Sequence, residues 1–379
     1  MKYSYQKKSK NIILYIPIFI AIGFIIFTKI SLSANMISNT NGLKDLAAPD
    51  TKIGSIANYY TLFPQSGESA KKYRKLYEKE LNAGTVASSP KSIWKSPEQY
   101  DLVHFNAVIN WFENRDFVQI AHLPIRPNHN LPEWLIENSY SNRELENIME
   151  DAIRTIMQSN DNQNKVDIWM VINEAFWVEG GAPYAGTIWN QLGSEEDESG
   201  LTGNDKQLSS HQVYIRKSLE IARKYTKNKL AILDNGVEFP SDDEYQMFYQ
   251  LVRHLLNDKA PLDAVGFQTH LSVDKTYDWE GLKNNIKRYK DLGLEVYIAE
   301  LDIGNDGTKQ GRNKQKSYYY HAVKAMREGG ADIINLWGLK DGQMGDYKED
   351  EFALMFEGVE RVPKPAYFGF QKALKKSQK

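Results

Sequence analysis

Cysteine is absent from the 379-residue chain, which excludes disulfides and cysteine-ligated metals. That absence is compatible with an exported protein without demanding one. A surplus of positive charge is missing too. Lys and Arg total 47 against 49 Asp and Glu, so the formal net charge is -2 and a nucleic-acid partner has no electrostatic support. There is no internal repeat and no low-complexity segment. The Gly-rich phosphate turn of doubly wound nucleotide-binding sheets is also lacking, because Gly54 stands alone after the first strand candidate. No cofactor and no bound metal are expected.

What is present begins with a membrane signal. Lys2, Lys7, Lys8 and Lys10 precede an apolar run over 12–27. Basic residues ahead of such a run hold that end in the cytoplasm. The run is long for a signal peptide and short for a comfortable span. Ser31, Ser33 and Ala34 supply small residues for cleavage. Residues 1–34 are therefore read as a signal peptide or a membrane anchor, with both outcomes open. Either way the rest is expected outside the cytoplasm, secreted or anchored to the outer face of the membrane. Residues 35–50 read as a polar linker.

From residue 51 to 379 the chain alternates strand-like and helix-like segments. Strands are expected at 52–57, 84–87, 117–122, 166–173, 230–233, 264–268, 296–301 and 333–337. Amphipathic segments lie at 70–81, 97–114, 142–159, 212–225, 242–256, 279–292 and 314–327, and a last helix follows Pro365. Eight strands, each followed by a helix, describe a closed α/β barrel of the (β/α)8, or TIM, class. A long polar loop is expected over 193–205, between the fourth strand and its helix. Hydrophobic residues at 41% and charged residues at 25% are ordinary for a globular domain. Trp 8, Tyr 22 and Phe 15 make the chain aromatic-rich, and such faces stack on sugar rings as readily as they fill cores.

In such a barrel the chemistry gathers where strands end at their carboxyl termini. The apolar run 168–172 stops at Asn173-Glu174, and 296–302 ends in Glu300 and Asp302. A carboxylate there is costly unless paired or put to use. One such pair caps a following helix as readily as it does chemistry, but two in matching positions point to a site. The other polar residues at strand ends are His122, Asn235, Gln268, His270 and Trp337. Two carboxyls, amides, histidines and an indole are the equipment for cleaving a glycosidic bond. One carboxyl protonates the leaving oxygen, while the other stabilises or attacks the anomeric carbon.

Five motifs in order now carry a specific resemblance. Trp169-Met170-Val171-Ile172-Asn173-Glu174 resembles the Trp-Asp-Val-Val-Asn-Glu motif of family 10 glycoside hydrolases, the endo-β-1,4-xylanase family. Val296-Tyr297-Ile298-Ala299-Glu300-Leu301-Asp302-Ile303 is similar to that family's nucleophile strand. Gly266-Phe267-Gln268-Thr269-His270 matches its Gly-Met-Gln-Xaa-His, Trp337-Gly338 its last-strand Trp-Gly, and Pro363-Lys364-Pro365-Ala366-Tyr367 its closing segment. The resemblance implies a retaining mechanism, with Glu174 as acid/base and Glu300 as nucleophile. It implies that Asn173 bonds the hydroxyl beside the reacting carbon and that His270, supported by Asp302, steadies Glu300. His122 and Gln268 would contact the sugar at the cleavage position, and Trp337 would floor it. The implied partner is a β-1,4-linked xylan or a related plant polysaccharide, or an oligosaccharide of it. Another β-glycan or a decorated oligosaccharide stays open. A membrane-attached carbohydrate-binding barrel with little turnover is the reading from another class, and loss of either glutamate would have favoured it.

The departures concern sugar binding. The family's Glu-Asn…Lys-Trp element after the second strand reads Ser88 to Trp94 here, and only the Trp remains. After His122, Arg126 stands in place of a Trp, and the segment to His129 is one residue longer. Arg126 suits either an acidic sugar or a structural ion pair. Met170 replaces an Asp, and the family's second Trp after the last strand is missing from 340–347. Trp94, Trp111, Trp134, Trp169 and Trp189 read as core or interface aromatics, Asp234 as a cap or turn residue, and 71–79 as a solvated helix face. His104, His211, His254 and His321 are not expected to bind metal.

Overall fold

Short runs of apolar and β-branched residues build the inner wall. They form β1 (Lys52–Ala57), β2 (Ala83–Val86), β3 (Val118–Ile125), β4 (Ile168–Asn173), β5 (Lys229–Asp234), β6 (Ala264–Phe267), β7 (Glu295–Gly304) and β8 (Ile333–Leu336). The main helices between and after them are α1 (Gly67–Glu80), α2 (Val103–Glu113), α3 (Asn142–Gln158), α4 (Gly203–Tyr225), α5 (Tyr245–Asn257), α6 (Trp279–Lys290), α7 (Lys309–Gly329) and α8 (Pro365–Lys375). The computed structural model describes residues 41–375 apart from 65–66, 87–88, 177, 180–181, 184–186, 194–202, 243 and 344–351.

Each strand pairs in parallel with the next, and β8 returns to β1, with Lys52 opposite Ile333. The sheet is therefore a closed ring of eight with no free edge, the architecture expected from the alternating pattern. A three-residue strand, His270–Ser272, adds alongside the end of β7.

Successive strand residues face opposite sides and so fall into two buried clusters. Ile168 and Met170 join Ala231, Leu233, Tyr297, Ala299 and Ile333 in the smaller one, which fills the barrel. Trp169 and Val171 face the helices in the larger one. Met170 at the family's Asp position is thus a fully buried member of the inner apolar layer. Gly54, which lies within β1 and not after the strand, has a packing reason. A Cβ there would lie 2.4 Å from Asn335 Oδ1, whose amide nitrogen donates to the Ala299 carbonyl at 2.7 Å.

Several boundaries differ from expectation. The segment read as one helix over 97–114 turns at Pro97 within a small hairpin, Trp94–Ser96 with Gln99–Tyr100, before α2 begins at Val103. Helix α4 starts at Gly203, inside the expected loop, of which 194–202 lie outside the described residues. The linker reading of 35–50 is corrected at its end. Leu43 and Leu46 are buried, and the Leu43 amide donates to Glu80 Oε2 at 2.9 Å. Tyr367, from the closing Pro-Lys-Pro-Ala-Tyr segment, donates to the same oxygen at 3.0 Å, so α1, α8 and the start of the unit meet at one carboxylate. Lys364 of that segment is buried and pairs with Asp341 Oδ2 at 2.6 Å. The signal or anchor expectation for 1–34 falls outside the described residues, among which no helix is long and apolar enough to cross a membrane.

Candidate active site

The polar residues read from strand ends converge at the carboxyl end of the barrel. Asn173 closes β4, and Glu174 follows it with φ 62°, in the left-handed region. Such a backbone costs a non-glycine residue about 1–3 kcal/mol and persists only where neighbours hold it. Here the Glu174 amide donates to the Leu233 carbonyl at 2.9 Å, and the Phe176 amide donates to Asp234 Oδ2 at 2.9 Å. Asp234 is fully buried, and its other oxygen accepts the Asn235 amide at 2.9 Å. Burial, with the nearby Glu174 charge adding, pushes the Asp234 carboxyl well above the usual range. Its observed work is to hold the turn that carries Glu174, and Asn235 lies half-buried beside it.

Both oxygens of Glu174 are engaged. Gln268 Nε2 donates to Oε1 at 2.9 Å and reaches Asn173 Oδ1 at 3.4 Å. Arg126 Nη2 donates to Oε2 at 2.8 Å. Of the two roles left open for Arg126, the structure therefore has the ion pair, and its partner is Glu174. His122 sits below on β3. Burial, with Arg126 adding and Glu174 opposing, pushes its imidazole down to about 4.

The second carboxylate is Glu300, buried on β7. His270 Nε2 lies 3.1 Å from Glu300 Oε2, and Nδ1 of the same ring lies 3.0 Å from Asp302 Oδ1. Burial opposes the charged imidazole, but Asp302 and Glu300 together outweigh it and lift His270 to about 10. Burial raises the Glu300 carboxyl, and His270 pulls it back. The Trp337 ring stands edge-on to His270, with centroids 5.6 Å apart. Gln268 ties the halves together, since its carbonyl accepts the Glu300 amide at 3.1 Å while its side chain reaches Glu174.

The register of β3 on β4 shifts between His122 and Ile125, that of β4 on β5 between Met170 and Ile172, and that of β7 on β8 between Ile298 and Leu301. Such irregularities re-aim side chains beside sites. Here they fall on the strands that lead to Arg126, Glu174 and Glu300.

The sequence reading missed Glu238. It is buried, and Oε1 accepts the amide of Thr269, which has φ 65°, at 2.6 Å, while Oε2 accepts the Val237 amide at 2.9 Å. Glu238 thereby holds the turn between Gln268 and His270. Burial pushes its carboxyl up to about 7. The available signal was a lone carboxylate between Val237 and Phe239. The tryptophans read as core are buried at positions 94, 111, 169 and 189. Trp94 stacks on Tyr100, and the half-buried Trp134 meets its edge. His104 stacks on Tyr59, with ring centroids 3.9 Å apart.

A closed (β/α)8 barrel with two carboxylates at the ends of β4 and β7, one held by an amide and a cation and the other by a charged histidine, defines the class as a barrel glycoside hydrolase. The chain belongs to glycosyl hydrolase family 10, whose family model matches residues 42–373. It is 26% identical over 319 residues to endo-1,4-beta-xylanase B of Thermotoga neapolitana, a match covering 82% of this chain and 85% of that enzyme. Endo-1,4-beta-xylanase B of Butyrivibrio fibrisolvens is 23% identical over 363 residues, covering 87% of this chain and 53% of that protein. Among solved structures, native xylanase 10B from Thermotoga maritima superposes with a TM-score of 0.72 at 23% identity, covering 89% and 98% of the two chains. Xylanase 10B from Thermotoga petrophila RKU-1 in complex with xylobiose superposes with a TM-score of 0.73 at 22% identity, covering 89% and 98%. These structures share the fold.

Proposed function

We propose that the protein cleaves β-1,4-linked xylan or a closely related plant polysaccharide with retention of anomeric configuration. Glu300 is the nucleophile and Glu174 the acid/base. The observation that supports this most is Glu300 buried against a charged His270, the setting that suits a nucleophilic carboxylate. The substrate class follows from the named relatives, which are endo-1,4-beta-xylanases.

In the first step Glu300 bonds to the anomeric carbon as the glycosidic C–O bond breaks. Glu174 gives its proton to the departing oxygen. In the second step water attacks the same carbon from the opposite side and loses a proton to Glu174. The ester bond to Glu300 breaks and both carboxyls return to their starting states. Asn173 bonds the hydroxyl next to the reacting carbon, His122 and Gln268 bond the same sugar, and Trp337 packs beneath it. A proton NMR time course on xylo-oligosaccharide tests the outcome. The β-anomer is expected first, with the α-anomer growing only by mutarotation, and α-anomer as the first product would refute retention.

The rebuilt stretch 88–94 and Arg126 favour a second reading with the same chemistry, in which the substrate is another β-glycan or a decorated oligosaccharide. Comparing kcat/KM across a panel of β-glycans separates the two. We further propose that the barrel works outside the cytoplasm, because the basic residues and apolar run over 2–27 have the pattern of an export signal. Recovery in the membrane pellet with release only by detergent is expected if the segment is retained, and a soluble chain starting near Ala34 if it is cleaved. A chain recovered whole in the cytosol would refute export.

A further inference from the structure

The ion pair at Glu174 has no place in the two-step chemistry above, and it bears on the one group there that must both give and take a proton. Arg126 follows β3, with Pro127 next, and its loop is tied down from the far side. Asn128 Oδ1 accepts the Ile188 amide at 2.8 Å and the Thr187 hydroxyl at 3.3 Å. The guanidinium is thus carried on an anchored turn. It is also sheltered, since the side chains of Arg126 and Glu174 are 15% and 13% exposed. Solvent and salt screen such a pair much less than a surface one.

The hydrogen bonds favour one protonation state. Glu174 accepts at Oε1 from Gln268 and at Oε2 from Arg126. A carboxylate accepts at both oxygens, whereas a carboxylic acid must donate from one of them. Arg126 has only donors, so a proton on Oε2 finds no acceptor there. Gln268 can turn its amide and offer its oxygen to Oε1, but Arg126 has no such option. An opposite charge this close favours the charged form of a carboxyl. Among the described residues the other titratable groups coupled to the site include His122 from β3, Asp234 from β5, Glu300 and Asp302 from β7, and their partner His270 from the short strand beside β7. His122, pushed down to about 4, is neutral over the working range, while burial pushes Asp234 well up against the Phe176 and Asn235 amides that it accepts. Glu300 is the opposing negative charge, and it is itself bonded to a charged imidazole. Among the described residues Arg126 is a cation in direct contact with Glu174.

We infer that Arg126 is a positioning residue that holds Glu174 as the carboxylate, displacing the enzyme's working range toward acid pH and toward substrates whose leaving group needs no proton. This rests on Glu174 being the acid/base. At neutral pH fewer molecules carry the proton the first step requires. The base needed for the second step is present throughout. The position is one where the family pattern has an indole, so the cation belongs to this chain's own variation.

The test is the pH profile of kcat/KM for the full chain, measured on a xylo-oligosaccharide and on an aryl β-xylobioside with an acidic phenol as leaving group. Arg126→Gln, neutral and of similar length, is expected to move the basic limb on the oligosaccharide up by about 1–3 pH units. Arg126→Lys should restore a basic limb near that of the parent. On the aryl substrate the limb should be weak in all three proteins. A basic limb unmoved in Arg126→Gln would overturn the inference. Glu174→Ala keeps the two claims apart. If it spares the aryl substrate while the limb does not move in Arg126→Gln, only the Arg126 inference fails. If it loses both substrates equally, the acid/base assignment itself fails. Should Arg126→Gln not fold, an infrared titration of the parent against Glu174→Gln reads the carboxyl directly. A midpoint at or below that of free glutamate, about 4.3, is expected, and one near neutrality would overturn the inference.

Discussion

His270 Nε2 lies 3.1 Å from Glu300 Oε2, and in the proposed mechanism this contact favours Glu300 as the nucleophile. Burial alone raises Glu300, and the charged imidazole, held up to about 10 by Asp302 and Glu300 against its own burial, opposes the rise. Removing the ring leaves only burial. His270→Ala is expected to move the acidic limb of kcat/KM to higher pH, because Glu300 must then lose its proton unaided. A hydrogen bond to a charged group is worth about 1.5–3 kcal/mol, so the limb should move up by about 1–2 pH units. Asp302→Asn should move the limb the same way by less. An acidic limb unchanged in both variants would contradict the role.

Glu238 ties stability to pH. Its carboxyl is raised from 4.5 to about 7 by burial, so the folded protein binds the proton more tightly than the unfolded chain. The stabilisation is fully present below pH 4.5 and is lost as pH rises through 7. Over that window the shift corresponds to about 3 kcal/mol. Glu238→Gln keeps acceptors for the Thr269 and Val237 amides and removes the titration. The parent should therefore lose stability relative to the variant between pH 4.5 and 7 in denaturant unfolding. Parallel stability curves would show that Glu238 does not titrate in this range.

The stretch after β2 predicts weak binding beyond the cleavage position. Residues 88–93 lack the Glu and Asn of the family pattern and have Ile93, not Lys, before the Trp, and the one residue kept, Trp94, is buried against Tyr100 and Trp134. Three lost hydrogen bonds at about 0.5–1.5 kcal/mol each leave transition-state binding about a hundredfold weaker. The comparison is kcat/KM on linear xylo-oligosaccharides against a family member carrying those three residues. Equal values would mean that other groups here grip the sugar.

The strands were legible because the period that buries β4 and β7 on both faces is written in runs such as 168–172, and β1 matches its expected bounds. Glu174, Gln268, His270, Glu300 and Asp302 were legible for the same reason, as polar residues ending apolar strands. The Arg126 partner was not. It lies 48 residues away and depends on a register shift within β3 that no local pattern announces. Glu238 was hidden because its partners are backbone amides, which leave no trace in side-chain spacing. The burial of Leu43 escaped for a similar reason. The Leu43 amide bonds Glu80, which Tyr367 also bonds, and both partners lie far along the chain.

The central claim is that Glu300 forms a covalent bond to the sugar. The most direct measurement is to incubate the protein with a 2-deoxy-2-fluoro xylobioside bearing a dinitrophenolate leaving group and to map the product by peptide mass spectrometry. The fluorine slows the second step while the good leaving group drives the first, so the ester should accumulate. The account predicts a single glycosyl adduct on the peptide containing Glu300, absent in Glu300→Gln. An adduct on Glu174, or turnover of the natural substrate with no adduct formed, would contradict it.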